Sequence, residues 1–175
     1  MNLPVDTCVD LFLKGAYLSD ETAASLENDQ DPSHKIENSL QLLGYFETRH
    51  HDDRAIEQKR ANILIFLIKE DPTHQFWRSG LGIVWMTHSK KVYNTVKQTW
   101  LDQIKMNADN AQIILNAAFR LSFSELQVSR DLLAHAAQID AHHPDLKGVQ
   151  ERIKSSEKIK AHFAGECLDS CFYCE

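Results

Sequence analysis

Leu64-Ile65-Phe66-Leu67-Ile68-Lys69-Glu70-Asp71-Pro72, followed after a short polar interval by Leu81-Gly82-Ile83-Val84-Trp85, decides how the rest of the chain reads. Ala61, Leu64, Ile65 and Ile68 recur at helical spacing, and Asp71-Pro72 stops the helix they line. That ending returns at Ile104-Lys105-Met106-Asn107-Ala108 and at Ala137-Gln138-Ile139-Asp140-Ala141, at intervals of 36 and 33 residues. A second marker runs through the alternate helices: Leu43-Gly44, Leu81-Gly82 and Ala117-Ala118, at intervals of 38 and 36 residues. A small residue inside a helix lets a paired helix approach closely. Asp or Asn followed by Pro or Ala gives a turn that restarts the next helix. Two markers in phase predict stacked helix pairs.

Helical periodicity extends outward on both sides. Val5, Val9, Phe12 and Leu13 predict a short first helix ending near Gly15, and Ser19-Asp20-Glu21-Thr22 reads as a helix start. Asn28-Asp29-Gln30-Asp31-Pro32 is a polar break, after which Ile36, Leu40, Leu43 and Phe46 form an apolar stripe. His50-His51-Asp52-Asp53 reads as a turn. Beyond Pro72, Phe76, Trp77, Leu81, Val84 and Trp85 mark one helix, and Val92, Tyr93, Val96, Trp100 and Ile104 the next. Asn107-Ala108-Asp109-Asn110 turns the chain into Ile113, Ile114, Ala117, Ala118 and Leu121, then Leu126, Leu132, Leu133, Ala136 and Ile139. After the break at His142-His143-Pro144, Leu146, Val149, Ile153 and Phe163 outline a last helix. No segment alternates as a strand does, so the expected class is all-α.

Composition agrees. Among 175 residues there are only 6 Gly and 4 Pro, which favours long helices over many tight turns. The net charge of −6 removes the long-range attraction to phosphate that non-specific nucleic-acid binding needs, and the basic face of a membrane-surface helix. The longest apolar runs, Ile63 to Ile68 and Leu81 to Met86, fall far short of the ~20 residues that span a bilayer. Neither nucleic acid nor membrane is an expected partner. Met1-Asn2-Leu3-Pro4-Val5-Asp6 shows no basic start ahead of an apolar stretch, so no secretory signal is read and the cytoplasm is the expected location.

The repeat resembles the tetratricopeptide family, whose period is about 34 residues. Leu81-Gly82-Ile83-Val84-Trp85 is similar to the signature of that family's first helix. Leu64, Leu67 and Pro72 resemble the end of its second helix, as do Ala136, Ile139 and Asp140 ahead of Pro144. The likeness covers about Pro32 to Pro144 as three units. The first carries extra residues around His50 to Asp53, the second has Arg78 where Trp is typical, and the third has Leu121 and Ser129 for an aromatic and a small Ala. Arg60 to Pro144 is also similar to uncharacterised bacterial proteins of this type, a likeness that supplies no function. The resemblance implies a right-handed α-α solenoid of about three helix pairs, with N-terminal helices and a C-terminal capping helix. The corresponding divisions are 1–31 for the N-terminal helical segment, 32–144 for the repeats, 145–165 for the capping helix and 166–175 for a cysteine-rich tail.

No catalytic constellation emerges. Ser79-Gly80-Leu81-Gly82 lacks the following Lys and preceding strand of a phosphate loop. Cys8 has no nucleophile context and reads as core. Trp77, Trp85 and Trp100, at helical spacing, read as core aromatics. Cys167, Cys171 and Cys174 have a spacing that resembles the cluster-binding loop of radical SAM enzymes, and three thiolates suit zinc or a cluster. The motif follows helices only, so that enzyme reading is rejected. The preferred reading has the tail covering the end of the solenoid with its thiols reduced, and His162 is the nearest fourth donor should metal bind. No cofactor and no metal site is expected, and the chain is not expected to be an enzyme.

What the resemblance implies instead is an interaction scaffold that holds a protein or peptide on a concave face lined by the first helix of each pair. Counted from positions 44, 82 and 118, that face comprises Asn38, Gln41 and Tyr45, then Phe76, Ser79, Ile83 and Met86, then Gln112, Leu115, Asn116 and Phe119. Amides mixed with apolar groups suit a peptide with apolar anchors. The Lys and Arg partners of the family's carboxylate clamp are missing. Two alternatives stand beside it: a homodimer or larger homo-oligomer using the same faces on itself, and a metal- or redox-responsive regulator with the cysteine tail as its sensor.

Overall fold

The computed structural model describes residues 3–49, 53–82 and 89–165, with side chains through His162. Among them are eight α-helices and no strand: α1 Val5–Gly15, α2 Asp20–Asn28, α3 Lys35–Glu47, α4 Arg54–Glu70, α5 Lys90–Met106, α6 Ala111–Leu121, α7 Leu126–Ile139 and α8 Leu146–Gly165. A single 3-10 turn, Gln75–Arg78, lies between α4 and α5. The chain forms two compact units, Met1–Gln103 and Ile104–Glu175, divided within α5.

Local chemistry places the helix ends. Ser19 caps α2 by accepting the Thr22 N–H at 3.2 Å. Asp53 caps α4 through the Ala55 N–H at 2.7 Å, and Asn110 caps α6 through the amides of Gln112 and Ile113. Asp71 closes α4 with φ −154 and ψ 84, and Asp140 closes α7 with φ −142 and ψ 93. Each then opens the same turn: its carboxylate accepts the backbone N–H two residues on, from Thr73 at 3.1 Å and from His142 at 3.1 Å. Asp31-Pro32-Ser33-His34 makes that turn as well, with Ser33 N–H on Asp31 at 2.9 Å. At Asp71 and Asp140 the helix-end marker of the sequence is therefore the same backbone structure.

In the first unit α1, α2 and α4 pack around α3. Phe12, Leu40, Leu43, Leu64, Leu67, Ile68, Phe76, Trp77 and Trp100 are its buried core. The N-terminal helices, expected as a segment of their own, belong to this unit. Trp77 and Trp100 stack edge to face with ring centroids 5.2 Å apart, and the Trp77 indole donates to the Asp71 carbonyl at 2.8 Å. Both are core, as expected; Trp85 lies outside the described residues. Arg60 on α4, buried, pairs with Glu47 on α3.

The helix expected over Phe76, Trp77, Leu81, Val84 and Trp85 does not form across its described part, residues 75–82. Residues 75–78 make the 3-10 turn, and Gly80 and Gly82 adopt φ 79 and φ 64. Those left-handed conformations cannot sit in a right-handed helix. Gly82 is thus a turn residue resting against the Leu43 and Leu64 side chains rather than a mid-helix contact. Gly44 does act as a small contact inside a helix, although its partner is α1.

In the second unit α6, α7 and α8 pack against one another around Ile114, Leu115, Ala118, Ala136, Val149 and Ile153. Arg130 on α7 pairs with Glu157 on α8 at 2.7 Å. Among the described residues no helix is long and apolar enough to cross a membrane.

Candidate functional site

The expected binding stripe on α3 exists as a stripe, but α2 and the turn after it lie upon it. Asn38 is buried, and its amide donates to Asp29 at 2.9 Å. Gln41 is half-buried, with its backbone carbonyl beside Gly15 of α1. Tyr45 is half-buried, and its hydroxyl donates to Asp20 of α2 at 2.8 Å. That bond to a carboxylate lifts the Tyr45 phenol above its usual range.

Elsewhere half of the described stripe residues are interior. Phe76 is completely buried against Phe12 and Trp77, with ring centroids at 6.4 and 5.7 Å. Ser79 is exposed and accepts the Leu81 N–H at 3.3 Å. Ile83 and Met86 lie outside the described residues. Leu115 and Asn116 are completely buried, and Gln112 donates to Asn116 at 3.1 Å. Phe119 is half-buried, with the Arg152 guanidinium 5.3 Å from its ring centroid. Asn38, Phe76, Leu115 and Asn116 therefore offer no surface to a partner. Asn38, Leu115 and Asn116 are buried because a helix covered on two sides buries more than one stripe, and Phe76 because the 3-10 turn packs its ring against Phe12 and Trp77.

What the first unit does present is a cavity of about 300 Å³ where α2 crosses α3 and α4. Ala23 and Ala24 leave the space, and Phe46 and Ile56 floor it. Ala23 and Phe46 are buried, in one apolar cluster with Leu42. Ion pairs stand at the two ends. Lys59 of α4 meets Glu27 of α2 at 2.8 Å, and Arg49 meets Asp20 at 3.8 Å while donating to the Leu18 carbonyl at 3.0 Å. Both cations lie over aromatic rings, Lys59 5.4 Å from the Phe46 centroid and Arg49 5.0 Å from that of Tyr45. Tyr45 alone of the expected stripe lines this cavity. The rest was missed because Asp20 with Tyr45 and Glu27 with Lys59 are 25 and 32 residues apart, and no local spacing announces such pairs.

The one buried thiol among the described residues, Cys8, is not poised for chemistry. Cys8 is wholly inside, and burial pushes its thiol up from the usual range. The nearest base, His74, has its Nε2 4.0 Å from the sulfur. That nitrogen donates to the Leu3 carbonyl at 2.7 Å, while Nδ1 accepts the Phe76 N–H at 3.0 Å. Both ring nitrogens are thus occupied by backbone. Among the described residues no three His, Cys, Asp or Glu side chains gather as metal ligands. Cys167, Cys171 and Cys174 lie outside the described residues.

Compared with protein-family models, with curated proteins and with solved structures, the chain matches none. The tetratricopeptide resemblance rests on the residues quoted for it.

Proposed function

We propose that the chain is a protein–protein interaction scaffold of tetratricopeptide-like helix pairs, working in the cytoplasm and without catalysis of its own. The observation that carries this reading is the cavity between α2, α3 and α4, with an aromatic floor and a charged rim. A concavity that sets convergent polar groups beside apolar ones is a common form of recognition site. Tyr45 connects it to the binding stripe expected from sequence. The contact chemistry it offers is that of ion pairs and aromatic rings.

The test uses the full chain as bait in extract of its native organism, with retained proteins identified by mass spectrometry. Each purified candidate is then titrated calorimetrically against wild type and Ala24→Phe. Ala24 is exposed on α2, so the larger ring blocks the cavity without entering the core. A partner whose affinity falls at least tenfold supports the reading. A partner bound equally well by both forms refutes this site.

A further inference from the structure

We propose that α2 is a displaceable intramolecular ligand, and that the groove of α3 and α4 beneath it takes an acidic helix of the partner in its place. The inference rests on the scaffold reading for the existence of a partner. It adds the partner's form and the way the site opens.

The attachment of α2 comes first. Of its nine residues only Ala23 is buried and Leu26 half-buried, and the rest are exposed. Those two side chains meet Leu42, Tyr45 and Phe46 of α3 and Ile56 and Ile63 of α4 in one apolar cluster. The cavity beside Ala23 and Ala24 leaves that seat incompletely filled, and the walls of a void forgo contacts. The other ties of α2 are bonds of exposed carboxylates, Asp20 with Tyr45 and Arg49 and Glu27 with Lys59. Ion pairs so exposed add little and weaken with salt.

Lifting α2 spares the rest of the unit. Phe12, Leu40, Leu43, Leu64 and Leu67 are core residues outside its cluster, and α1 keeps its own backbone contact with α3 at Gly44. A nine-residue helix is too short to persist alone, so α2 leaves its seat by local unfolding.

Charge then names the replacement. Asp20, Glu21 and Glu27 lie on α2, which has no cation. The seat offers Arg49 and Lys59 to carboxylates seven residues apart, about 10 Å along a helix. A partner helix with that spacing makes the same two pairs, and a longer one holds its helical form better than α2 does. A basic helix would set its cations against Arg49 and Lys59.

The probe is a synthetic peptide of residues 18–31, acetylated and amidated, with a second peptide carrying D20K and E27K. Each is titrated into the 15N-labelled full chain, as wild type and as the D20K/E27K variant. Repulsion from Arg49 and Lys59 should unseat the variant's own α2. The native-sequence peptide should then shift the amide signals of Leu42, Phe46 and Ile63 saturably, and bind the variant at least tenfold more tightly than wild type. The reversed peptide should not bind. In wild type the amides of Leu26 and Glu27 should exchange hydrogen at least tenfold faster than those of Leu40 and Leu43, and faster again at raised salt.

Exchange of the α2 amides only together with Leu40 and Leu43 makes α2 part of the core and overturns the inference, whether or not the variant folds. A peptide bound alike by wild type and variant also overturns it. A native partner bound more tightly by D20K/E27K supports displacement. One that responds to Ala24→Phe but not to the charge reversal overturns displacement and leaves the scaffold reading standing. Peptide binding by a chain that retains no protein partner supports displacement and removes the scaffold reading.

Discussion

Gly15 of α1 lies against the backbone of Gln41 in α3, and Gly44 of α3 lies against the backbone of Phe12 in α1. A Cβ on Gly44 would sit 1.8 Å from the Phe12 carbonyl oxygen, and one on Gly15 would sit 1.9 Å from that of Gln41. Neither distance leaves room for any side chain. The two helices touch along their main chains, and that contact is what brings the N-terminal helices into the first unit.

Gly44→Ala should accordingly be among the most damaging single changes in the protein. Overpacking generally costs about 1–3 kcal/mol, and an obstacle made of backbone puts this case at or above the top of that range. Gly148, inside α8 with nothing near its missing Cβ, supplies the contrast. Gly148→Ala should stabilise by roughly 0.5–1 kcal/mol through helix propensity. Urea unfolding of both variants measures the difference, and equal midpoints would contradict the close contact.

Gly82→Leu is expected to be strongly destabilising, because Gly82 has φ 64 and a Cβ there meets the Leu43 side chain at 2.8 Å. Gly80 has φ 79 but open space around it. Gly80→Ala should lose about 1–2 kcal/mol for the left-handed backbone alone. Gly82→Ala should lose more, and Gly82→Leu most. Melting temperatures that fail to follow this order would show that Gly82 does not rest on Leu43.

Ser129 on α7 and Ser156 on α8 are buried, and neither hydroxyl oxygen has a hydrogen-bond partner among the described residues. An unsatisfied buried polar group costs about 1–3 kcal/mol. Ser129→Ala and Ser156→Ala should therefore leave stability unchanged or raise it, by up to about 1 kcal/mol. Loss of stability in either variant would reveal a partner that the geometry does not.

Asp29 should titrate below the ordinary carboxylate range. The Asp31 backbone N–H holds its charged form first, then the Asn38 amide at 2.9 Å and the His34 ring at 3.2 Å. A depressed folded pKa stabilises the protein above the unfolded value, near 3.9, and that contribution is lost as pH falls through the folded value. Carboxyl chemical shifts followed by NMR from neutral pH downward test the direction. Asn38→Ala should move the Asp29 midpoint upward, towards the unfolded value, leaving the protein less stable at neutral pH and with a smaller loss of stability on acidification. An unmoved midpoint would break the assignment of Asn38 as its partner.

By itself the sequence determined where several helices begin and end, although it read a helix where Gln75–Arg78 form a 3-10 turn. Ser19, Asp53 and Asn110 cap with their own side chains, and Asp71 and Asp140 end helices with the same turn, so a few neighbouring residues carry each boundary. All-helical class followed from that local chemistry and from apolar spacing. The tertiary structure alone decided which faces stay open. The sequence reading put Asn38, Gln41 and Tyr45 of α3 on an open face, yet Asn38 donates to Asp29 in the turn after α2 and Tyr45 to Asp20 of α2. Gly44 reads as a close-contact residue, but only the fold selects Phe12 of α1 as its neighbour. The cavity over Phe46 exists because helices distant in the chain meet over two alanines. Periodicity records that a side chain is covered; what covers it depends on chain segments that no local pattern connects.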